Sequence, residues 1–232
     1  KDREFGRFCI RRFREEKSGR QQPDFVRPAV FTDTFSRSDG EPSTLKNQLR
    51  GALDGESPFC ILTCGQDSDS REEGLVDFPA VDTFQFPEYP QEELYFPPFL
   101  RILDYCSRQE ITHIHSLTPG PMGLVALGVA KVLQLPLRAT YRAGLPEYIR
   151  KRTEDRDMEE MIWKYLLWYL NQMDTVTVPS VNTARQLLRR GLSADKVRTA
   201  AYSSDAEILR TAEKNDFRAR YFDHAAEAST PL

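Results

Sequence analysis

Short apolar runs alternate with longer stretches of helical period from residue 28 to residue 202. The runs Pro28–Thr32 (PAVFT), Phe59–Thr63 (FCILT), Ile111–Ser116 (ITHIHS), Pro136–Tyr141 (PLRATY), Thr175–Val178 and Val197–Tyr202 are predicted strands. Continuous apolar runs of that length suit strands buried on both faces. Between them lie predicted helices: one beginning near Ser43 (STLKNQLRGAL), then Phe99–Arg108, then LVALGVAKVL after residue 123, then Asp157–Met173, and finally VNTARQLLRR, which stops at Gly191. Such alternation predicts a Rossmann-like α/β domain, a parallel sheet with helices on both faces. Val76–Phe86 alternates loosely as one further strand, followed by a proline-studded loop, PEYPQEELYFPP. In Asp157–Met173 the residues Met158, Met161, Ile162, Tyr165, Leu166, Tyr169 and Met173 recur at 3,4 spacing and are the expected core stripe.

The centre of this pattern is Ile111–Gly128, where a strand enters the Pro/Gly turn LTPGPMG and then a helix of small residues. Backbone N–H groups at such a helix start form a setting for an anion. Ligands of parallel sheets sit at the carboxyl ends of the strands. The loops to watch are therefore DTFSRSDG, TPGPMG and YRAGLPEY. Gly40, in the first of them, permits a close backbone approach, as phosphate loops require. The spacing of Gly120, Gly123 and Gly128 is not that of a dinucleotide fingerprint.

Composition narrows the function classes. The chain has 232 residues, 40% hydrophobic and 29% charged, with net charge −3. That balance fits a globular domain and disfavours a dedicated nucleic-acid binder. The N-terminal region, residues 1–27, carries Phe5, Phe8, Cys9 and Phe13 among Arg7, Arg11, Arg12 and Arg14. It reads as a linker or an amphipathic helix, with contact to an anionic membrane as the sharper alternative. Cys9, Cys60, Cys64 and Cys106 sit on apolar segments and are expected as reduced, buried thiols in a cytoplasmic protein. His113 and His115 share one strand face without a third ligand, and His224 lies in the tail; no metal site is expected. His115 is the histidine expected to reach a pocket.

Taken in order, FTDTFSRSDGEPSTL, FQFPEYPQEELYFPP, ITHIHSLTPGPMGLVALGVAKVLQLPL, TYRAGLPEYIR and VTVPSVNTARQLLRRGL resemble the N-terminal domain of family-4 retaining glycosyltransferases, of the GT-B group. The resemblance spans roughly residues 27–205. It implies the N-terminal half of a GT-B fold: 28–210 as the Rossmann-like, acceptor-side domain and 211–232 as a tail towards a second domain that holds most of the nucleotide-sugar. The chain begins at Lys1 rather than Met and is expected to be a fragment, inactive by itself. By the same resemblance the partners are a nucleotide-sugar donor and a sugar, lipid or polysaccharide acceptor. No cofactor is implied, and the place of work is the cytoplasm or the inner face of the membrane. Gly40 would approach the donor phosphates, while Thr118, Gly120 and Gly123 would shape the cleft floor. Asp33, Arg37, Tyr89, Glu147 and Tyr148 are the acceptor or cleft candidates.

Two positions depart from the family. Where many members have His-Thr-Asp-Phe-Pro, this chain has Arg142-Ala143-Gly144-Leu145-Pro146, so an arginine replaces the histidine expected beside the transferring sugar. A guanidinium can hold a phosphate or carboxylate but cannot act as a neutral imidazole. The usual Gly-Val-Asp near the hinge is Ser203-Ser204-Asp205. The alternative implied is a non-catalytic glycan- or partner-binding domain that kept the fold.

Overall fold

The computed structural model describes residues 25–34, 59–65, 73–86, 89–142 and 144–200. Arg37, Gly40, Cys9, His224, the basic N-terminal segment, the helix near Ser43 and the tail lie outside the described residues. The strands are β1 (Pro28–Phe31), β2 (Cys60–Cys64), β3 (Leu75–Phe78), β4 (Asp82–Phe86), β5 (Tyr89–Phe96), β6 (His113–Ser116), β7 (Leu137–Thr140), β8 (Thr175–Val178) and β9 (Val197–Thr199). Five α-helices are described: α1 (Phe99–Arg108), α2 (Pro121–Leu133), α3 (Leu145–Thr153), α4 (Arg156–Asn171) and α5 (Val181–Arg190).

Seven strands form one parallel sheet in the order β3-β2-β1-β6-β7-β8-β9, a Rossmann-like arrangement. Phe31 lies opposite Leu62 on one side and Ser116 on the other. Alternation along the strands sends Ala29, Phe31 and Leu62 into the main core and Val30 and Ile61 into a second apolar cluster with Phe59, Leu75 and Leu117. Both faces of the sheet centre are therefore closed to water, as the continuous apolar runs require.

Strand order fixes where a ligand would sit. From β1 the chain moves outward to β2 and β3, then crosses back to β6 on the other side of β1. The carboxyl ends of β1 and β6 flank this reversal, which is the crevice where open α/β sheets bind ligands.

Several local expectations are corrected. Val76–Phe86 is not one strand: β3 ends at Phe78 and β4 begins at Asp82 in a separate two-stranded sheet. Pro79 separates them, because it has no N–H to donate to a ladder. The proline-studded segment is not a loop but β5, antiparallel to β4, with Phe84 opposite Leu94 and Thr83 opposite Tyr95. Pro90 is the second residue of β5, near the register shift at Gln85/Phe86, where a missing donor is tolerated. Tyr95 packs on the core, and its hydroxyl donates to Glu93 Oε2 at 2.7 Å.

The segment after β7 is helical from Leu145, with Pro146 and Glu147 in the first turn and Arg150, Lys151 and Arg152 in the last. That distribution of proline and charge favours a helix. Within α4, Met161 is exposed, whereas Trp163 and Leu170 join Leu166 and Tyr169 in the core, with Met173 just past the helix. The final strand is shorter than expected and ends at Thr199.

Candidate functional site

The site begins two residues beyond β1. Asp33 N–H donates to Thr118 Oγ1 at 3.0 Å, and Thr118 Oγ1 donates back to Asp33 Oδ2 at 2.5 Å. Met122 N–H, in the first turn of α2, donates to Asp33 Oδ1 at 2.9 Å. First-turn amides lack partners inside a helix, and this helix has no capping side chain of its own: its N-cap is Gly120 and its first residue is Pro121. Asp33 caps it from a different strand, and its negative charge suits the positive end of the helix.

The anion-binding turn expected from the sequence thus holds a carboxylate of this chain. A Cβ at Gly120 would stand 2.4 Å from Asp33 Oδ2, so the glycine makes room for that carboxylate. Asp33, Thr118 and Gly120, predicted separately, are brought together at the crevice.

The underside of the same loop is held by α4. Ser116 Oγ donates to the Thr118 carbonyl at 3.0 Å and lies 2.6 Å from Tyr169 Oη, while Tyr165 Oη donates to the Pro119 carbonyl. A Cβ at Gly123 would meet Thr118 O at 2.1 Å and Tyr169 Oη at 2.6 Å, so this glycine lets the loop and the tyrosine close over the helix. The sequence pattern marks Tyr165 and Tyr169 only as core. The available signal is two phenols one helical turn apart on the apolar stripe, whose hydroxyls need partners once covered.

The loop after β7 lies beside the one after β6, because β6 pairs with β7. It delivers Arg142 to the same sheet edge as Asp33 and Thr118. Gly144, with φ of 116°, turns the chain into α3. The two acceptor candidates on α3 diverge. Glu147 Oε1 accepts from Gln186 Nε2 of α5 at 2.7 Å, whereas Tyr148 is about half exposed and its hydroxyl accepts from Arg152 at 2.8 Å. The second oxygen of Glu147 is buried without a hydrogen-bond partner among the described residues, and the hydroxyl of Tyr141 is buried beside the Gly144 backbone. Burial, reinforced by the Glu147 charge, pushes the Tyr141 phenol up to about 12. Tyr89 opens β5, on the separate hairpin.

The histidines are engaged locally. His115 Nε2 lies 2.8 Å from Thr140 Oγ1, and His113 Nδ1 lies 2.9 Å from Thr112 Oγ1. Burial, and secondarily the Arg138 charge, lowers His115 to about 4, so the ring is neutral and has no charge to offer a ligand at neutral pH. Burial likewise raises the thiols of Cys60 to about 11 and of Cys64 and Cys106 to about 12, which leaves them poor nucleophiles and metal ligands.

Comparison with known proteins agrees with this architecture. The Glycosyltransferase Family 4 profile matches residues 56–201. An alpha-monoglucosyldiacylglycerol synthase of Streptococcus pneumoniae is 24% identical over 177 residues, which is 75% of this chain and 38% of that protein. Among solved structures, UDP-GlcNAc 2-epimerase from Methanocaldococcus jannaschii superposes with a TM-score of 0.54 at 15% identity, over 86% of this chain and 53% of the other. HepE of Anabaena, solved with UDP and glucose, gives a TM-score of 0.54 at 11% identity over 79% and 46% of the two chains. The chain thus spans about half or less of the length of these proteins, and likenesses at such identities speak for the fold alone. With the family profile covering more than half of its length and the crevice built at the expected strand ends, the chain belongs to Glycosyltransferase Family 4 and has the N-terminal domain of the GT-B fold.

Proposed function

We propose that this domain is the acceptor-side wall of an enzyme that moves a sugar from a nucleotide-sugar to a lipid or sugar hydroxyl with retention at the anomeric carbon. The observation that carries the reading is the meeting of the loops after β1 and β6 at the switch point, through Asp33 and Thr118, in a chain of this family. A relative whose name specifies a glucosylated diacylglycerol and a fold neighbour solved with UDP and glucose support the substrate classes. In the transfer, the acceptor oxygen bonds to the anomeric carbon as the bond from that carbon to the diphosphate oxygen breaks. The nucleoside diphosphate leaves, and the acceptor proton passes to it or to water. Such a step is helped by charge placed at the developing diphosphate.

In this reading Arg142 supplies positive charge at the sheet edge where the family places a histidine. Asp33 and Glu147 serve mainly to hold the wall, and Tyr148 presents an aromatic surface to the acceptor. The donor is a substrate, and the reading assigns no cofactor or metal. No described helix is long and apolar enough to cross a membrane. A cytoplasmic, peripheral placement fits a lipid acceptor, and the exposed side chains Val81, Phe96 and Leu100 give it an apolar rim beside β4 and β5.

The test is to assay the whole protein that contains this chain with a panel of nucleotide-sugars and with diacylglycerol and sugar acceptors, reading the product anomer by NMR. Turnover with retention, reduced at least tenfold in Arg142→Ala, is expected. Absence of both turnover and donor binding in the whole protein would overturn the reading.

A further inference from the structure

We infer that Tyr165 and Tyr169 are positioning residues for the acceptor wall, holding the Leu117–Gly120 loop in its working shape from beneath. The inference rests on the transferase reading above and goes beyond it by assigning a role to a helix outside the crevice loops.

The loop has few donors of its own. Pro119 and Pro121 have no N–H groups, and Gly120 between them has no side chain. Partners elsewhere help to hold it. On the β1 side these are the Asp33 bonds to Thr118 and Met122. Two successive loop carbonyls are also engaged: that of Pro119 by Tyr165 of α4, and that of Thr118 by Ser116 at the end of β6, which in turn contacts Tyr169 of α4. Because the Ser116 hydroxyl gives its proton to Thr118 O, the 2.6 Å contact assigns Tyr169 as donor to Ser116. The result is a relay from Tyr169 through Ser116 to Thr118, running beside a direct bond from Tyr165 to Pro119.

The two phenols pack side by side. Their rings stack with centroids 6.2 Å apart and an interplanar angle of 22°. Tyr169 is 1% exposed. Burial raises both phenols well above their ordinary range, Tyr165 to about 12, so both remain proton donors at any working pH. A helix needing only to bury a stripe is served by leucine, which leaves no hydroxyl to satisfy. Here the Tyr165 hydroxyl ends on the loop and the Tyr169 hydroxyl on Ser116, which bonds the loop, and Gly123 leaves room for Tyr169.

The experiment uses the whole protein with Tyr165→Phe, Tyr169→Phe, the double variant and Ser116→Ala. Phenylalanine keeps the rings and removes only the bonds. Hydrogen exchange over residues 117–125 is expected to accelerate at least tenfold in the double variant, while exchange in β7 and β8 stays as in the parent. The acceptor KM is expected to rise or kcat to fall, for a combined loss of 10–100-fold, with the donor KM changed less than threefold. Ser116→Ala should reproduce Tyr169→Phe, and adding it to Tyr169→Phe should change little, because both cut one relay.

Variants that transfer like an active parent overturn the role of the tyrosines alone. So does a uniform rise in exchange across the domain, which would mark them as ordinary core. A parent that transfers no sugar overturns the transferase reading, and this role with it.

Discussion

Asp33 and Thr118 stand 85 positions apart, yet each donates to the other: the Asp33 amide to the threonine hydroxyl at 3.0 Å and that hydroxyl to the carboxylate at 2.5 Å. This reciprocal pair closes the sheet's switch point, and the second carboxylate oxygen caps α2 through Met122. A carboxylate of the protein itself therefore sits at the positive end of α2 and takes up the Met122 amide.

The pairing predicts a coupled energy between Asp33 and Gly120. Gly120→Ala would push a methyl to 2.4 Å from Asp33 Oδ2 and is expected to lower stability by about 1–3 kcal/mol. Asp33→Ala is expected to lower it by about 1–2 kcal/mol through loss of the cap. Combined, the two should be less harmful than their sum by roughly 1 kcal/mol, since the clash vanishes with the carboxylate. Urea denaturation of the four proteins measures this, and strict additivity would contradict it.

Gly123 lies inside α2, where alanine would ordinarily be favoured by about 1 kcal/mol. Here the added methyl would meet the Thr118 carbonyl at 2.1 Å, a backbone atom that cannot swing aside. Gly123→Ala is expected to destabilise by about 1–3 kcal/mol. Tyr169→Phe should not rescue it, because the carbonyl clash remains. A rise in the melting temperature of Gly123→Ala would refute this.

His115 gives the fold a dependence on pH. Its folded value of about 4 lies below the ordinary 6.5. Above pH 6.5 it is neutral in both states and costs nothing. As pH falls from 6.5 towards 4, the unfolded chain takes up a proton that the folded chain refuses, so stability decreases by on the order of 2–3 kcal/mol. His115→Gln, which can still bond Thr140, should lose less stability over that window than the parent. Urea midpoints at pH 7 and pH 5 decide it.

Lys196 ties down the end of α4, its ammonium donating to the carbonyls of Asn171 at 2.6 Å and Met173 at 2.9 Å. These carbonyls lie at and just past a helix C-terminus, where a cation is favoured. Lys196→Met is expected to lower stability by about 1–2 kcal/mol. The loss should appear first as faster hydrogen exchange around residues 170–175, and unchanged exchange there would count against it.

Much of this molecule is written locally. Apolar runs of strand length, separated by segments of helical period, announce a parallel α/β sheet, because that rhythm reflects which residues each element must bury. The family motifs and the three strand-end loops were legible for the same reason: chain order alone places them at one sheet edge. Where burial depends on a neighbour distant in sequence, the local pattern could not decide. Pro79 and the pairing of Phe84 with Leu94 divided one expected strand into two sheets and turned a proline-rich loop into a hairpin. Met161 and Trp163 both fit a helical stripe, and only packing against the other elements showed that Trp163 is the inner one. Likewise, that the helix-start anion is Asp33, that Tyr165 reaches the Pro119 carbonyl and that Tyr169 reaches Ser116 are long-range facts. The sequence by itself determined the sheet, its loops and the candidate crevice. Tertiary structure decided which polar groups fill that crevice's walls, because a hydrogen bond needs two partners within about 3 Å and no local pattern states where the second one is.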